Sequence, residues 1–329
     1  MRSIATMMAT MLFAATVSAS PTTMRAVQIS SFGGPDVLRI ATVDRPVPGP
    51  GELLVRVHAA SVNPVDTYTR AGETAGITGA KVPYIPGFDV SGVVESVGEG
   101  VVLFGKDDEV MAMLDLRRGG AYAEYAIVKE SEAALKPKQW THAEAASVPL
   151  TALTAWQALF DAGELKRRQT VLIHAGAGGV GSMAIQLAKW KGAARIIATA
   201  SSENHEYLRQ LGADEVIDYR TQKFEEIVKD VDVVLDPVGG DTQARSIGVL
   251  KEGGRLVSIV GLGDAARRAT NIKAQSILVH PDGTLLARIA VIVKPVVTHT
   301  FTLEDVKAAH VQSETGRTRG KIVLKVRER

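Results

Sequence analysis

The sequence predicts an α/β chain in which a compact, mostly antiparallel β region precedes a doubly wound parallel sheet. Three observations carry that expectation. Short strand-like runs separated by turn signals fill the stretch from Met24 to about Leu150. From Gln169 to about Val260 the pattern changes to strand, helix, strand, at the spacing of right-handed βαβ units. At the head of that second region stands Val171-Leu-Ile-His-Ala-Gly-Ala-Gly-Gly-Val-Gly181, a glycine-rich turn between a buried-strand run and a helical pattern.

The chain has 329 residues, enough for two modest domains, and a net charge of +2. That charge gives no electrostatic case for nucleic acid or an acidic membrane surface. There is no cysteine, which excludes disulfides, thiol nucleophiles and cysteine-held zinc. At the N-terminus, Arg2, an apolar run from Ile4 to Val17 and the small residues Val17-Ser-Ala19 have the pattern of a secretory signal. The run is too short for a membrane span. Met24-Arg-Ala-Val reads equally as a natural start, because the first strand begins there. Residues 1–23 are therefore kept out of the fold; the location is periplasmic or exported if they act as a signal, and cytoplasmic if Met24 is the true start.

In the first region, strands are expected at Met24–Ile29, Glu52–Ala59, Val90–Val97, Glu109–Met113 and Ala121–Lys129. Thr141-x-x-Glu144 is a capping box, and a helix from about Thr151 to Asp161 stops at Gly163. In the second, strands are expected at Val171–His174, Arg195–Thr199, Glu215–Ile217, Asp232–Leu235 and Arg255–Val260. Helices lie between them: Ser182–Lys191 with Gly192 at its C-cap, and Glu203–Leu211 closed by Gly212. Thr302-x-x-Asp305 opens a last helix, and Lys321–Val326 makes a final strand.

The glycine run fits G-x-G-x-x-G, whose parts have separate physical duties. Gly176 allows the tight turn, Gly178 lets the backbone approach a pyrophosphate, and Gly181 lets helix and strand pack closely. Gly179 and Val180 complete the turn before the helix, whose free N–H groups and positive dipole end favour phosphate. Strand before and helix after make this a dinucleotide site. No carboxylate stands between Gly181 and Glu203 to hold a ribose 2′-hydroxyl; Ser201 and Ser202 end the second strand instead. Two hydroxyls suit a 2′-phosphate, so NADPH is expected over NADH; the serines also suit a helix cap. Ligands of such sheets bind at the carboxyl ends of the strands, which puts Asp236-Pro-Val238-Gly-Gly240 and Val260-Gly261-Leu262 along the cofactor trough. Tyr125-x-x-x-Lys129 has the Tyr/Lys spacing of short-chain dehydrogenases but precedes the glycine motif and lies in a strand, so it carries no chemistry.

Taken in order, the landmarks resemble the zinc-independent quinone oxidoreductase branch of the medium-chain dehydrogenase/reductase superfamily. They are Phe32-Gly-Gly-Pro-Asp36, Pro46-Val-Pro-Gly-Pro-Gly-Glu52, Ser61-Val-Asn-Pro-Val-Asp-Thr-Tyr68, Pro86-Gly-Phe-Asp-Val-Ser-Gly92, Leu153-Thr-Ala-Trp156, the glycine run, Leu211-Gly-Ala-Asp-Glu-Val-Ile-Asp-Tyr219 and Gly320-Lys-Ile-Val-Leu324. The resemblance implies a GroES-like domain at 24–150, a Rossmann domain at 151–285 and a return to the first domain at 286–329, with the site between them. Where zinc-dependent relatives place metal ligands, this chain has Asn63 and Phe88, so no metal is expected. The resemblance gives Asn63 a contact with the nicotinamide ribose or substrate, Thr154 one with the nicotinamide end, and Tyr68 a place facing the cleft, as proton donor or packing residue. It sets Ser201, Ser202 and Tyr219 around the 2′-phosphate. Asn204 replaces a phosphate-binding lysine of some relatives, and Lys321 is the expected substitute.

The resemblance further implies hydride transfer from NADPH to a quinone or an α,β-unsaturated carbonyl (an enone or enal). An enoyl-thioester reductase and a non-enzymatic, crystallin-like NADPH-binding protein are the alternatives. A homodimer is implied by the family alone. The acceptor pocket is expected from loops including Arg70–Val82 and Asn271–His280.

Overall fold

The structure, a computed structural model, describes residues 22–327. The signal-like run lies outside the described residues. No helix among them is long and apolar enough to cross a membrane.

Seven strands precede the glycine motif: β1 (Thr23–Gln28), β2 (Arg39–Asp44), β3 (Glu52–Val62), β4 (Asp89–Val97), β5 (Glu109–Met113), β6 (Tyr125–Lys129) and β7 (Ala133–Leu135). Six form the second sheet: β8 (Thr170–Ile173), β9 (Arg195–Ala200), β10 (Glu215–Asp218), β11 (Val231–Asp236), β12 (Leu250–Ser258) and β13 (Lys273–Ser276). The chain ends with β14 (Val297–Thr302) and β15 (Lys321–Lys325).

The second sheet is wholly parallel, in the order β10-β9-β8-β11-β12-β13. This is the Rossmann order, whose direction reverses between β8 and β11 and leaves a crevice there. Its central strands are apolar: Val171, Leu172 and Ile173 of β8 are all fully buried, as are Val234 and Leu235 of β11. Each such side chain contributes roughly 1.5–3 kcal/mol by leaving water.

The other large sheet runs β14-β15-β3-β4-β5-β7, with β6 also paired to β3. Here the return of the chain matters most. β15 lies antiparallel to β3, with Ile322 opposite Val62, so Lys321 is delivered beside Asn63. On the other side, Gly320 bridges Gly178 of the glycine loop and donates its N–H to the Ala177 carbonyl at 2.8 Å. A single turn of sequence thus touches both sheets.

The Thr141 capping box forms, with Glu144 N–H donating to Thr141 Oγ1 at 3.2 Å and Thr141 N–H to Glu144 at 2.8 Å. Gly192 takes the left-handed C-cap, φ 79°. Other expectations need correction. The strand expected from Ala121 begins at Tyr125; Ala123 makes only an isolated bridge to Ala26. The segment Asn271–His280 is not simply a pocket loop, because it contains β13. Its polar sequence hid it, since an edge strand need bury only part of its surface. The Thr302–Asp305 pair does form, Asp305 N–H donating to Thr302 Oγ1 at 3.3 Å and the Thr302 hydroxyl to Asp305 Oδ2 at 2.7 Å, but the helix itself starts later, at Val306. The helix after the capping box continues past Trp156 as a wider π turn over Gln157–Ala162.

Candidate functional site: a dinucleotide cleft

β8 ends at Ile173 and the chain turns sharply into the helix Gly179–Lys191. The turn's left-handed residue is Ala175, φ 47°, the residue before Gly176. Gly176 is needed for space: a Cβ there would lie 2.9 Å from Leu208 Cδ1 and 3.0 Å from Ala198 Cβ. Gly181 is tighter still, its Cβ falling 2.4 Å from the Ala175 carbonyl oxygen. Gly178 keeps an open face, which is what a phosphate requires of the backbone. Val180 begins the helix and packs its side chain on the core. His174 shares hydrogen bonds with Thr199 Oγ1 at 3.1 Å and Ser246 Oγ at 2.9 Å, and burial pushes its imidazole down to about 4. It is a neutral tie between β8 and its neighbours.

A cleft of about 370 Å³ opens beyond this turn, at the carboxyl ends of the strands. Ser201, Asn204, Tyr219, Arg220, Arg317 and Arg319 line its far end. Ser201 is buried and accepts from Asn204 Nδ2 at 3.0 Å. Ser202 is exposed and absent from the lining; it starts the short turn Ser202–Asn204 before the next helix. Ser201 stands both in the cleft and at the N-cap position of that turn, and neither serine caps a helix through its side chain. Tyr219, 59% exposed, lies alongside the Arg220 guanidinium.

The three arginines are the residues that sequence reasoning missed. Arg319 donates to Asn204 Oδ1 at 2.7 Å and to the Glu203 carbonyl at 3.0 Å, lying over the Tyr207 ring. Arg220 pairs with Glu203 at 3.2 Å. Arg317 forms no ion pair among the described residues. Glu203 is the one carboxylate among the cleft-lining residues, and of these three guanidiniums only that of Arg220 pairs with it; Arg245, also in the lining, is paired with Glu225 and Asp241. The basic doublet Arg317-Thr-Arg319 was visible beside Gly320, but only the bridge from Gly320 to Gly178 brings it across to the second sheet.

Lys321 requires the plainest correction. It was expected to serve the 2′-phosphate in place of Asn204. Instead it is 4% exposed, and its Nζ donates to the Val62 carbonyl and Asn63 Oδ1, both at 2.6 Å. Asn63 is also buried, and its Nδ2 donates to Asp89 Oδ2 at 2.8 Å. Its amide is thereby bonded on both sides within the protein, so the expected contact with ribose or substrate is not what holds it. Burial pushes the Asp89 and Asp66 carboxyls up, Asp66 to about 7, against the opposing pull of Lys321. Burial likewise lowers the Lys321 ammonium, against the pull of both carboxylates.

Val238 and Val260, both half exposed, stand at the ends of β11 and β12 as apolar walls. Asp236 Oδ1 accepts from Val238 N–H at 2.9 Å and Gly239 N–H at 2.8 Å, which stiffens the first of these loops. Gly261, φ 93°, offers its carbonyl to Gln243 Nε2 at 2.9 Å, and Leu262 follows, half-buried. Thr154 is buried with its hydroxyl on the Leu150 carbonyl at 2.7 Å. Tyr68 lies on the helix Pro64–Ala71, 47% exposed. Tyr125 and Lys129 lie on β6, where Arg45 stacks on the Tyr125 ring at 4.1 Å, far from any role as a catalytic pair.

A catalytic metal has no donor set at the two expected positions. Phe88 offers no ligand atom and Asn63 is already bonded. No group of three or more His, Asp or Glu among the described residues is arranged to hold a metal ion.

The chain matches two family descriptions: an alcohol dehydrogenase GroES-like domain over residues 49–138, and a zinc-binding dehydrogenase over residues 211–324. A 2-methylene-furan-3-one reductase of Solanum lycopersicum is 37% identical over 92% of this chain and 79% of its own length. An NADPH-dependent alkenal/one oxidoreductase of Arabidopsis thaliana chloroplasts is 40% identical over 73% of this chain and 64% of its own. Among solved structures, the quinone oxidoreductase from Coxiella burnetii superposes with a TM-score of 0.86 at 37% identity, covering 93% of this chain and all of that one.

Proposed function

Because the chain belongs to the quinone oxidoreductase branch of the medium-chain dehydrogenase/reductase superfamily, and is an oxidoreductase of that type, we propose that it is an NADPH-dependent reductase of quinones or α,β-unsaturated carbonyls. The single observation that carries the cofactor reading is that Arg220, Arg317 and Arg319 line one cleft with the buried Ser201, beyond an intact glycine turn. Guanidiniums and a buried hydroxyl suit a phosphate dianion, and one carboxylate against three arginines leaves the end of the cleft positive.

In this reading the backbone of Gly176, Gly178, Gly179, Val180 and Gly181 takes the pyrophosphate, aided by the helix dipole. Ser201, Tyr219, Arg317 and Arg319 hold the 2′-phosphate. Thr154, Val238, Val260, Gly261 and Leu262 border the nicotinamide side. NADPH supplies the hydride when bound. The protein's own work is to align donor and acceptor in a cleft between the unit 24–150, with its return 286–329, and the unit 151–285. The acceptor must itself stabilise negative charge at its oxygen, which quinones and enones do by conjugation. In this reading Tyr68 hydrogen-bonds that oxygen or gives it a proton.

Fluorescence titration of the full chain with NADPH and NADH tests this reading first. NADPH is expected to bind at least about tenfold more tightly, the value of one charge-assisted contact. Equal affinities remove the 2′-phosphate assignment. Oxidation of NADPH with benzoquinones and short enals then assigns the acceptor class, and no turnover across that panel sinks the reductase reading.

A further inference from the structure

We propose that Lys321 is a positioning residue that fixes the height of the glycine turn over the cleft floor, acting through Asn63. The inference rests on the cofactor reading above and concerns a residue that reading leaves without a role.

The contacts form a closed ring. The Lys321 stem lies directly beneath Gly179: a Cβ on that glycine would fall 2.8 Å from Lys321 Cδ and 2.8 Å from Thr151 Cγ2. The Lys321 ammonium donates to Val62 O and Asn63 Oδ1 at the end of β3. Asn63 donates in turn to Asp89 Oδ2, which also accepts from Ser61 Oγ at 2.9 Å. Asp89 Oδ1 accepts from Leu150 N–H at 2.7 Å, in the first turn of the helix Pro149–Trp156. The next residue of that helix is Thr151, whose methyl group returns to Gly179. Every member of the ring except the half-buried Gly179 is buried, so water does not compete for its hydrogen bonds.

An apolar side chain of the same length would support Gly179 but leave Val62 O and Asn63 Oδ1 unpaired. The Asn63 amide would then lose one of its two fixed partners, and the Asp89 and Asp66 carboxylates their buried cation. The ring would slacken at the point where the pyrophosphate and nicotinamide halves of the cofactor join. The adenosine end, built from β9 and the loop before β15, would be untouched.

The test is Lys321→Met in the full chain, titrated with NADPH and with 2′-AMP, which reaches only the adenosine end. NADPH affinity is expected to fall about tenfold while 2′-AMP affinity stays within about twofold, one buried charge-assisted bond being lost from one end. Equal weakening of both ligands, or of neither, overturns the proposal. In a cycle with Asn63→Ala, the double variant should bind NADPH no worse than the weaker single variant; additive losses also overturn it. If Lys321→Met does not fold, Asp89→Asn breaks the ring on the other side of Asn63 while keeping an oxygen for Leu150, and the same split is expected. Wild-type protein that binds 2′-AMP and NADPH but shows no split in the variants removes Lys321 alone. Wild-type protein that binds neither removes the cofactor reading and this proposal with it.

Discussion

At one end of the cleft the charges stand in water: Arg220, Arg317 and Arg319 are exposed around the half-exposed mouth of a 370 Å³ cavity. On the far side of the glycine turn, outside the lining of that cavity, Asn63, Asp66, Asp89 and Lys321 are buried and bonded to one another. The same kinds of group do different physical work in the two places. Exposed guanidiniums are screened within a Debye length, so they select a ligand mainly by its charge. Buried groups gain strength from the low dielectric but must have partners, so they set distances. The first end should therefore answer to salt and the second to pH.

The pH response is the largest expected effect. Burial pushes His310 down to about 3, with Arg70 adding to it, and His142 and His174 to about 4. In the unfolded chain these imidazoles take a proton near pH 6.5. Between pH 6.5 and about 4 the unfolded state thus binds more protons than the folded one, and stability falls as pH falls through that window. Asp66 works in the opposite sense. With its carboxyl at about 7, the folded state binds the extra proton between roughly pH 4 and 7, and this group's contribution is lost as pH rises across that range. Urea unfolding should lose on the order of 5 kcal/mol between pH 6.5 and 4.5, and Asp66→Asn should stabilise the protein at pH 8 but not at pH 4.5. A flat stability from pH 6.5 to 4.5 would show that the histidines are not buried neutral, and an Asp66→Asn variant that gains nothing at pH 8 would remove the pH response assigned to the buried end.

That contrast also marks what the sequence could disclose. The six-stranded sheet was legible wherever its strands were buried on both faces, because Val171–Ile173 or Val233–Leu235 leave little choice of environment. The polar edge strand β13 carries no such pattern. The glycine turn was legible because its steric demands are local, although the strained position proved to be Ala175. Arg317, Arg319 and Lys321 were not assignable from sequence. Their roles follow from β15 lying between β3 and the glycine turn, a pairing across some 140 residues for Gly178 and Gly320 that no local signal encodes. Direction of side chain decided the rest: Lys321 turns inward to Asn63, and Arg319, two residues away, turns outward to Asn204.

The middle-sized prediction sharpens the exposed side of the comparison. Arg319→Ala removes both the bond to Asn204 and one of three cations. NADPH affinity should fall about tenfold in dilute buffer and by much less in 0.5 M salt, an estimate set by one exposed charge-assisted contact. NADH affinity should not change, and Ser202→Ala, at a residue outside the lining, should leave both cofactors alone. A loss that persists undiminished in high salt would mean that Arg319 acts by holding Glu203 and Asn204 in place rather than by its charge.

Tyr68 gives the smallest expected effect and the sharpest test of where the boundary between the two ends lies. It sits one helical turn beyond Asn63, on a helix whose start is fixed by the Asn63 N–H donating to Asp66 Oδ2 at 2.7 Å. Yet it is 47% exposed, and its hydroxyl forms no hydrogen bond among the described residues. A donor so open to solvent can be replaced by water at little cost. Tyr68→Phe should therefore lower kcat only about threefold, well under 1 kcal/mol, with NADPH affinity unchanged. Initial rates at saturating NADPH decide it. A loss beyond about 100-fold would make Tyr68 the proton donor that water does not replace, since general acid catalysis contributes upwards of about 100-fold. The exposed residue would then hold a catalytic duty, and burial would no longer separate the part of the cleft that sets geometry from the part that selects charge.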